Sequence, residues 1–323
     1  MGLHQIQSHK RSAGFRASLD ARTDPWLQGH IFEQPGRRSA ILPGVATLQM
    51  FYDAARQIRG DSELRAFQRV RFGRAVFVTP EEPRQVDIFA RLTHVAPSGV
   101  RNRGGFPPYY RTRLTLPRSS DDHTDFAKAN LDLNPAGSPP PAPQRIAIQP
   151  LNGATGFITA ADIYHTGAYP NTGMMAMLLS MQLFGHQRAL VQLNPRVLES
   201  RVGMAHASMA TLPLHLELGF TAGGILSTLA RSPTESDLVR GLNVLSSVRR
   251  IEYFGAPSAG ELSFIGVAIG KTEDDTYNFS VANLESGNVY ACVEGYKTAF
   301  WDDPWKTGQF RTQRGFFRGA QTS

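Results

Sequence analysis

Apolar residues recur at helical spacing in one early stretch. Leu48, Phe51, Ala54, Ala55 and Ile58 follow Gly44 and stop before Gly60, which predicts a helix over 45–59. The period then shortens towards two. Phe67, Val70, Phe72 and Val76 predict a strand over 66–78, with further strands at 86–92 and 109–116, and turns at Pro80, Pro83 and 99–108. A short strand at 14–19 precedes the helix. One long helix with several antiparallel strands forms an α+β unit in which a sheet wraps the helix.

The pattern breaks after Pro117. Residues 117–150 are polar, then proline-rich (Asn134-Pro135-Ala136-Gly137-Ser138-Pro139-Pro140-Pro141), as in a stiff linker. The second half echoes the first in the order turn, helix, strands. Apolar runs occupy 178–184 and 190–193, a buried-type helix is expected over 214–229 before Pro233, and strands at 244–253, 261–269, 277–283 and 289–298. The chain thus divides into a mobile N-terminus (1–13), a first unit (14–117), a linker (118–150), a second unit (151–302) and a basic tail (303–323). Joining one edge strand of each unit would protect both edges and give one continuous sheet.

Composition adds limits. With 41% hydrophobic and 19% charged residues, the chain has the balance of an ordinary globule with a sizeable core. The single cysteine, Cys292, excludes an internal disulfide framework and a multi-cysteine metal site, which suits a reducing compartment. No apolar run reaches the ~18 residues of a membrane span and the start lacks a signal core, so a cytoplasmic location away from membranes is expected. The net charge of +7 favours acidic partners. Arginines at 65–74 and 101–113 alternate with aromatics, but no helix-turn-helix, zinc or RNA-binding signature accompanies them, so no nucleic-acid partner is expected. An acidic carrier protein would be drawn to the same surface.

Candidate chemistry begins at Asp24-Pro25-Trp26-Leu27-Gln28-Gly29-His30, ahead of Ile41-Leu42-Pro43-Gly44 and the first helix. An imidazole there, at the mouth of a groove, could act as a base, although histidines beside apolar sequence are commonly packed or hydrogen-bonded without a task. The N–H groups that open the helix after Pro43-Gly44 lack intrahelical partners and lie at its positive end, where they suit a developing oxyanion. Gly44 would permit close approach to that turn, or would serve only as a turn glycine. Tyr164 and Tyr169 offer hydroxyls. His165, His206 and His215 have no metal spacing, so no metal is expected. No Gly-x-Ser-x-Gly elbow supports a serine hydrolase, and Gly223-Gly224 fits close packing inside the second helix.

The stretch 24–30 with Leu42-Pro43-Gly44 resembles the opening of dehydratase domains of modular polyketide synthases. In the second half, Asp162-Ile163-Tyr164, the turn to Gly173, Val248-Arg249-Arg250-Ile251, Gly255-Ala256-Pro257, and Gly287-Asn288-Val289-Tyr290 through Glu294-Gly295-Tyr296 follow the family's order. The resemblance covers roughly 14–302. It implies an α+β double hotdog fold with an acyl-pantetheine tunnel between two units, and a dyad of a histidine from the first and an acid from the second.

The family's second motif carries a proline four residues ahead of the acid. Leu212-Pro213-Leu214-His215-Leu216-Glu217 then assigns Glu217, whereas alignment on His215 would put Phe220 at that position. Glu217 could also face solvent, but a carboxyl in a helix apolar nearly all round needs a partner or a task. The implied activity is loss of water from a carrier-bound 3-hydroxyacyl thioester, with His30 as base, Glu217 as acid, and Pro43, Gly44 and Tyr169 lining the substrate. No cofactor is expected beyond the phosphopantetheine that carries the substrate. The implied partners are an acyl carrier protein and polyketide synthase subunits, and a free sheet edge could recruit a second copy as a homodimer.

Three departures stand out. His30 and Pro43 lie 13 positions apart, so 31–42 is expected to be a lengthened loop. Glu stands where the family has Asp, and Gln49 where related fatty-acid dehydratases carry an acid. These keep three readings open: a dehydratase, an isomerase or cyclase retaining the base, and a non-catalytic member that only holds a carrier or synthase subunit.

Overall fold

The computed structural model describes residues 3–9, 11–34, 37–59, 63–93, 109–117, 126–134, 153–165, 176–185, 187–195, 212–231, 242–255 and 257–301. The predicted helices form close to their expected bounds: α2, Gly44–Arg59, and α3, Leu212–Arg231, with a short α1 at Pro25–Gln28. Around α2 lie β1 (Leu3–His9), β2 (Ser12–Leu19), β5 (Glu63–Phe72), β7 (Arg84–Thr93), β8 (Tyr109–Thr115) and β9 (Ala127–Asn134). Around α3 lie β12 (Arg188–Leu193), β13 (Leu242–Tyr253), β14 (Ile265–Lys271), β15 (Tyr277–Asn283) and β16 (Val289–Trp301), with β10 (Gly156–Thr159) and β11 (Leu178–Phe184) at the sheet's end.

These strands form one antiparallel sheet in the order β1-β2-β7-β8-β9-β5-β13-β16-β15-β14-β12-β11-β10. Each half has one topology: a first strand, a helix, then four strands of which the earliest lies at the junction. The sheet order β2-β7-β8-β9-β5 is matched by β12-β14-β15-β16-β13, so the echo in the sequence is an echo in the fold. The halves meet at β5 and β13, with Ala66 opposite Glu252 and Arg71 opposite Ser247. One buried core runs through both, from Phe15, Phe51 and Phe67 to Phe279 and Tyr296. The fold is an α+β double hotdog, each half a sheet wrapped around its helix.

Five expectations change. Residues 3–9 are not a mobile end but β1, paired with β2 from Leu3–Ala17 to His9–Ser12, because the outer edge of β2 offers a backbone ladder that sequence pattern alone does not reveal. The expected linker contains β9. Ala127, Ala129, Leu131 and Leu133 face inwards while Lys128, Asn130 and Asp132 face out, an alternation muted by small alanines. The strand expected at 66–78 splits into β5 and β6 (Phe77–Val78), because the chain leaves the main sheet after Phe72. The strand expected from 261 begins at Ile265. Glu261 accepts bonds from the backbone and hydroxyl of Ser258 (2.9 and 2.7 Å), a capping arrangement that holds Ala259–Phe264 in a 3-10 turn.

The lengthened loop is a hairpin as well. β3 (Ile31–Gln34) pairs with β4 (Arg37–Ile41), and β4 with β6, in a small separate sheet. The greater part of the proline-rich run and the basic tail lie outside the described residues. Among the described residues, no helix is long and apolar enough to cross a membrane.

Candidate active site

His30 follows α1. Pro25 opens that helix, the Asp24 carbonyl accepts from Leu27 and Gln28 (3.0 and 2.9 Å), and the His30 N–H donates to the Leu27 carbonyl (3.1 Å), so the chain turns sharply with Leu27 fully buried. The hairpin then leaves and returns. Its closing residue, Ile41, engages His30 twice: the Ile41 N–H donates to the His30 carbonyl (3.1 Å), and the imidazole Nδ1 donates to the Ile41 carbonyl (2.7 Å). The extra residues between His30 and Pro43 are thus taken up by an excursion that ends beside the imidazole.

A carbonyl can only accept, so Nδ1 carries the proton and Nε2 is the ring's acceptor nitrogen. His30 is half-buried as a residue, but protein surrounds its ring. Desolvation pushes the pKa down to about 4, against the opposing pull of the Ile41 bond. The imidazole is neutral at pH 7.

Two residues beyond Ile41, Pro43 is buried, and its carbonyl accepts from the N–H and hydroxyl of Thr47 (3.2 and 3.4 Å). That fixes the first turn of α2, so the N–H groups of Gly44, Val45 and Ala46 precede its first intrahelical bond. Gly44 has a packing role. A Cβ there would come within 2.7 Å of Leu245 in β13 and 3.2 Å of Phe72 in β5. Its small size lets α2 start against the strand junction.

Glu217 lies in the second turn of α3. The residue is half-buried, its carboxyl is enclosed, and desolvation pushes its pKa up to about 8, only partly offset by the Thr221 hydroxyl, which donates from 3.4 Å. The charge of Glu217, if ionised, raises the Tyr164 phenol further, after burial, the main cause. That phenol oxygen accepts the Leu178 N–H (3.1 Å). Tyr164, which sequence offered only as one of two hydroxyls, therefore stands near the acid. Tyr169 and His206 lie outside the described residues.

His215 and Phe220 have other surroundings. Phe220 packs edge-on against Phe279 (5.4 Å between ring centres) and against Tyr296 (5.1 Å), and its carbonyl accepts the Tyr296 hydroxyl (3.0 Å). That position belongs to the aromatic core, which favours the proline register and Glu217. His215 is fully buried, on the flank of α3 opposite Glu217, since two residues turn a helix by about 200°. Neither of its ring nitrogens has a partner among the described residues, and burial pushes its pKa down to about 4. Sequence gave no sign of this. Gly223 packs closely, as expected: a Cβ there would come within 2.3 Å of Tyr296.

α2 and α3 pack against one another, so the helix opened beside His30 and the helix bearing Glu217 are neighbours. Gln49, on α2, donates to Asp53 (2.8 Å), and burial raises the Asp53 pKa. Among the described residues, no cluster of His, Cys, Asp and Glu is arranged to hold a metal.

Residues 3–100 match the family described as the polyketide synthase dehydratase domain. No curated protein sequence matches the chain. Among solved structures, the dehydratase domain from the CurF module of the curacin polyketide synthase is similar at 12% identity, covering 92% of this chain and 97% of that one, with a TM-score of 0.68. A trans-AT polyketide synthase dehydratase domain from Brevibacillus brevis is 13% identical (93% and 97% covered, TM-score 0.67). The pyran synthase domain from module nine of the sorangicin pathway is 14% identical (92% and 97% covered, TM-score 0.59).

Proposed function

We propose, from the premise that this chain carries the N-terminal signature of polyketide synthase dehydratase domains on their double hotdog fold, that it removes water from a carrier-bound 3-hydroxyacyl thioester. The observation that carries the reading is the seating of two enclosed groups on adjoining elements: His30, in the first half, has Nδ1 held on the Ile41 carbonyl with Nε2 as its acceptor nitrogen, and Glu217 sits on the neighbouring helix of the second half. Burial favours the neutral imidazole in the one and the protonated carboxyl in the other. Elimination needs those two states.

In the proposed reaction, His30 Nε2 takes the proton from C2, and the electron pair of that bond forms the C2–C3 double bond. The C3–O bond breaks as the hydroxyl takes the Glu217 proton and leaves as water. Imidazolium and carboxylate then return to their starting states by proton transfer through solvent. Charge on the thioester oxygen is met by the N–H groups of the first turn of α2, at its positive end. Pro43, Gly44 and Tyr169 are assigned to the substrate wall, with Gly44 seating the start of α2 against the strand junction. The substrate arrives on phosphopantetheine, from an acyl carrier protein of a polyketide synthase, and no further cofactor is required.

The test uses the purified chain and a 3-hydroxyacyl pantetheine thioester. Positioned proton transfer typically contributes about 10²–10⁴-fold, so His30→Ala should lower turnover by that order with an unchanged melting temperature. Activity retained in His30→Ala sinks the proposal. The pyran synthase neighbour favours one second reading, ring closure by a retained base. Glu217→Gln separates the two: dehydration falls as far as in His30→Ala, whereas cyclisation falls less.

A further inference from the structure

Among the described residues, the exposed face of the sheet carries a row of positive charge without acidic partners. Arg113 in β8 stands opposite Lys128 in β9, and Lys128 opposite Arg71 in β5. Arg71 is opposite Ser247 in β13, and Ser247 opposite Lys297 in β16, so the row crosses from the first half into the second. A parallel pair, Arg91 opposite Arg111, lies beside it on β7 and β8. All six cations are exposed, and none forms an ion pair with a described residue. Arg113 lies over the Phe89 ring, 4.9 Å from its centre, which leaves its charge uncancelled.

Like charges directly opposite one another destabilise a sheet. Elsewhere on the same face, cations are matched: Arg16 pairs with Asp87 at 2.7 Å and Arg250 with Glu252 at 2.8 Å. The mismatch is therefore local to these strands. It is also placed near the candidate site. Arg71 adjoins Phe72, and Ser247 lies two residues from Leu245; those two side chains receive Gly44 at the start of α2. The row thus runs along the rim of the sheet at the end where the helix beside His30 begins.

The geometry points to this row as the docking surface for the acidic carrier protein that delivers the acyl group, an inference that rests on the proposed function for its partner. Charge complementarity selects the occupant. A single-sign rim speeds encounter with an anionic protein and orients it without burying charge, and it screens out at high salt.

The experiment compares wild type with Arg113→Ser/Lys128→Ser. The probes are an isolated acyl carrier protein loaded with a 3-hydroxyacyl group, the same carrier without acyl load, a small pantetheine thioester, duplex DNA and anionic vesicles. The variant should show KM for the carrier-bound substrate raised about tenfold and carrier binding weakened about tenfold, both with a flatter salt dependence. Its kcat/KM for the small thioester should be unchanged, and its melting temperature equal or higher, because opposed like charges are gone. Carrier binding equal to wild type overturns the docking surface. So does a wild type that binds duplex DNA or anionic vesicles but not the carrier. Carrier binding lost in the variant, with no thioester consumed by either protein, keeps the surface and rejects the catalytic reading instead.

Discussion

His30 and Glu217 differ from ordinary members of their types in opposite directions for one reason, loss of water around an ionised group. In the proposed reaction His30 acts when neutral, so kcat/KM should fall as pH drops through about 4, and Glu217 acts when protonated, so it should fall as pH rises through about 8. A pH profile of the small-thioester reaction reads both limbs, and a flat profile through pH 8 removes Glu217 as the acid. Stability follows the same linkage. The raised pKa of Glu217 gives a contribution present in full below 4.5 and lost as pH rises through about 8. The lowered pKa values of His30 and His215 give contributions present above 6.5 and lost as pH falls through about 4. Glu217→Gln should therefore flatten the alkaline fall of melting temperature and leave the acid limb. His215 offers a separate test. A buried polar group without a partner costs about 1–3 kcal/mol, so His215→Leu should gain on the order of 1 kcal/mol in urea denaturation and weaken the acid limb. Loss of stability would mean that its nitrogens have partners.

The two long helices are held differently from their sheets. α2 is amphipathic and meets its sheet through a stripe of apolar side chains, the pattern that made it legible. α3 is apolar nearly all round and approaches its strands through Gly219 and Gly223, where a Cβ would come within 2.3 Å of Phe279 and Tyr296 respectively. Gly223→Ala weighs two effects. Helix propensity gains about 1 kcal/mol. Overpacking against a ring whose hydroxyl is fixed on the Phe220 carbonyl costs about 1–3 kcal/mol, and more where backbone must move. The variant should be destabilised by up to about 2 kcal/mol, measured by thermal or urea denaturation; a higher melting temperature would show that α3 can shift away. The β3–β4 hairpin is another element that sequence misread. Where a lengthened loop is expected, the ladder from Ile31–Ala40 to Gln34–Arg37 takes up the extra residues and returns Ile41 to the imidazole.

Across the whole molecule, the β5–β13 ladder and a core shared by both halves make two similar units into one body. Calorimetry should show a single transition with equal calorimetric and van't Hoff enthalpies; two transitions would mean that the junction is weaker than either half. The sequence by itself determined the two-unit plan, both helices, most strands, and His30 and Glu217 as candidates. Those signals are local periodicity, turn residues and motif order, which neighbours in the chain carry. Tertiary structure alone decided the rest. β1 and β9 depend on free backbone edges, and the hairpin on a ladder that returns to its start. Both pKa shifts come from burial in the assembled fold, and the cationic row exists only because five strands bring Arg113, Lys128, Arg71 and Lys297 into one register. Pairing and desolvation are properties of the assembled neighbourhood, so no stretch of sequence contains them.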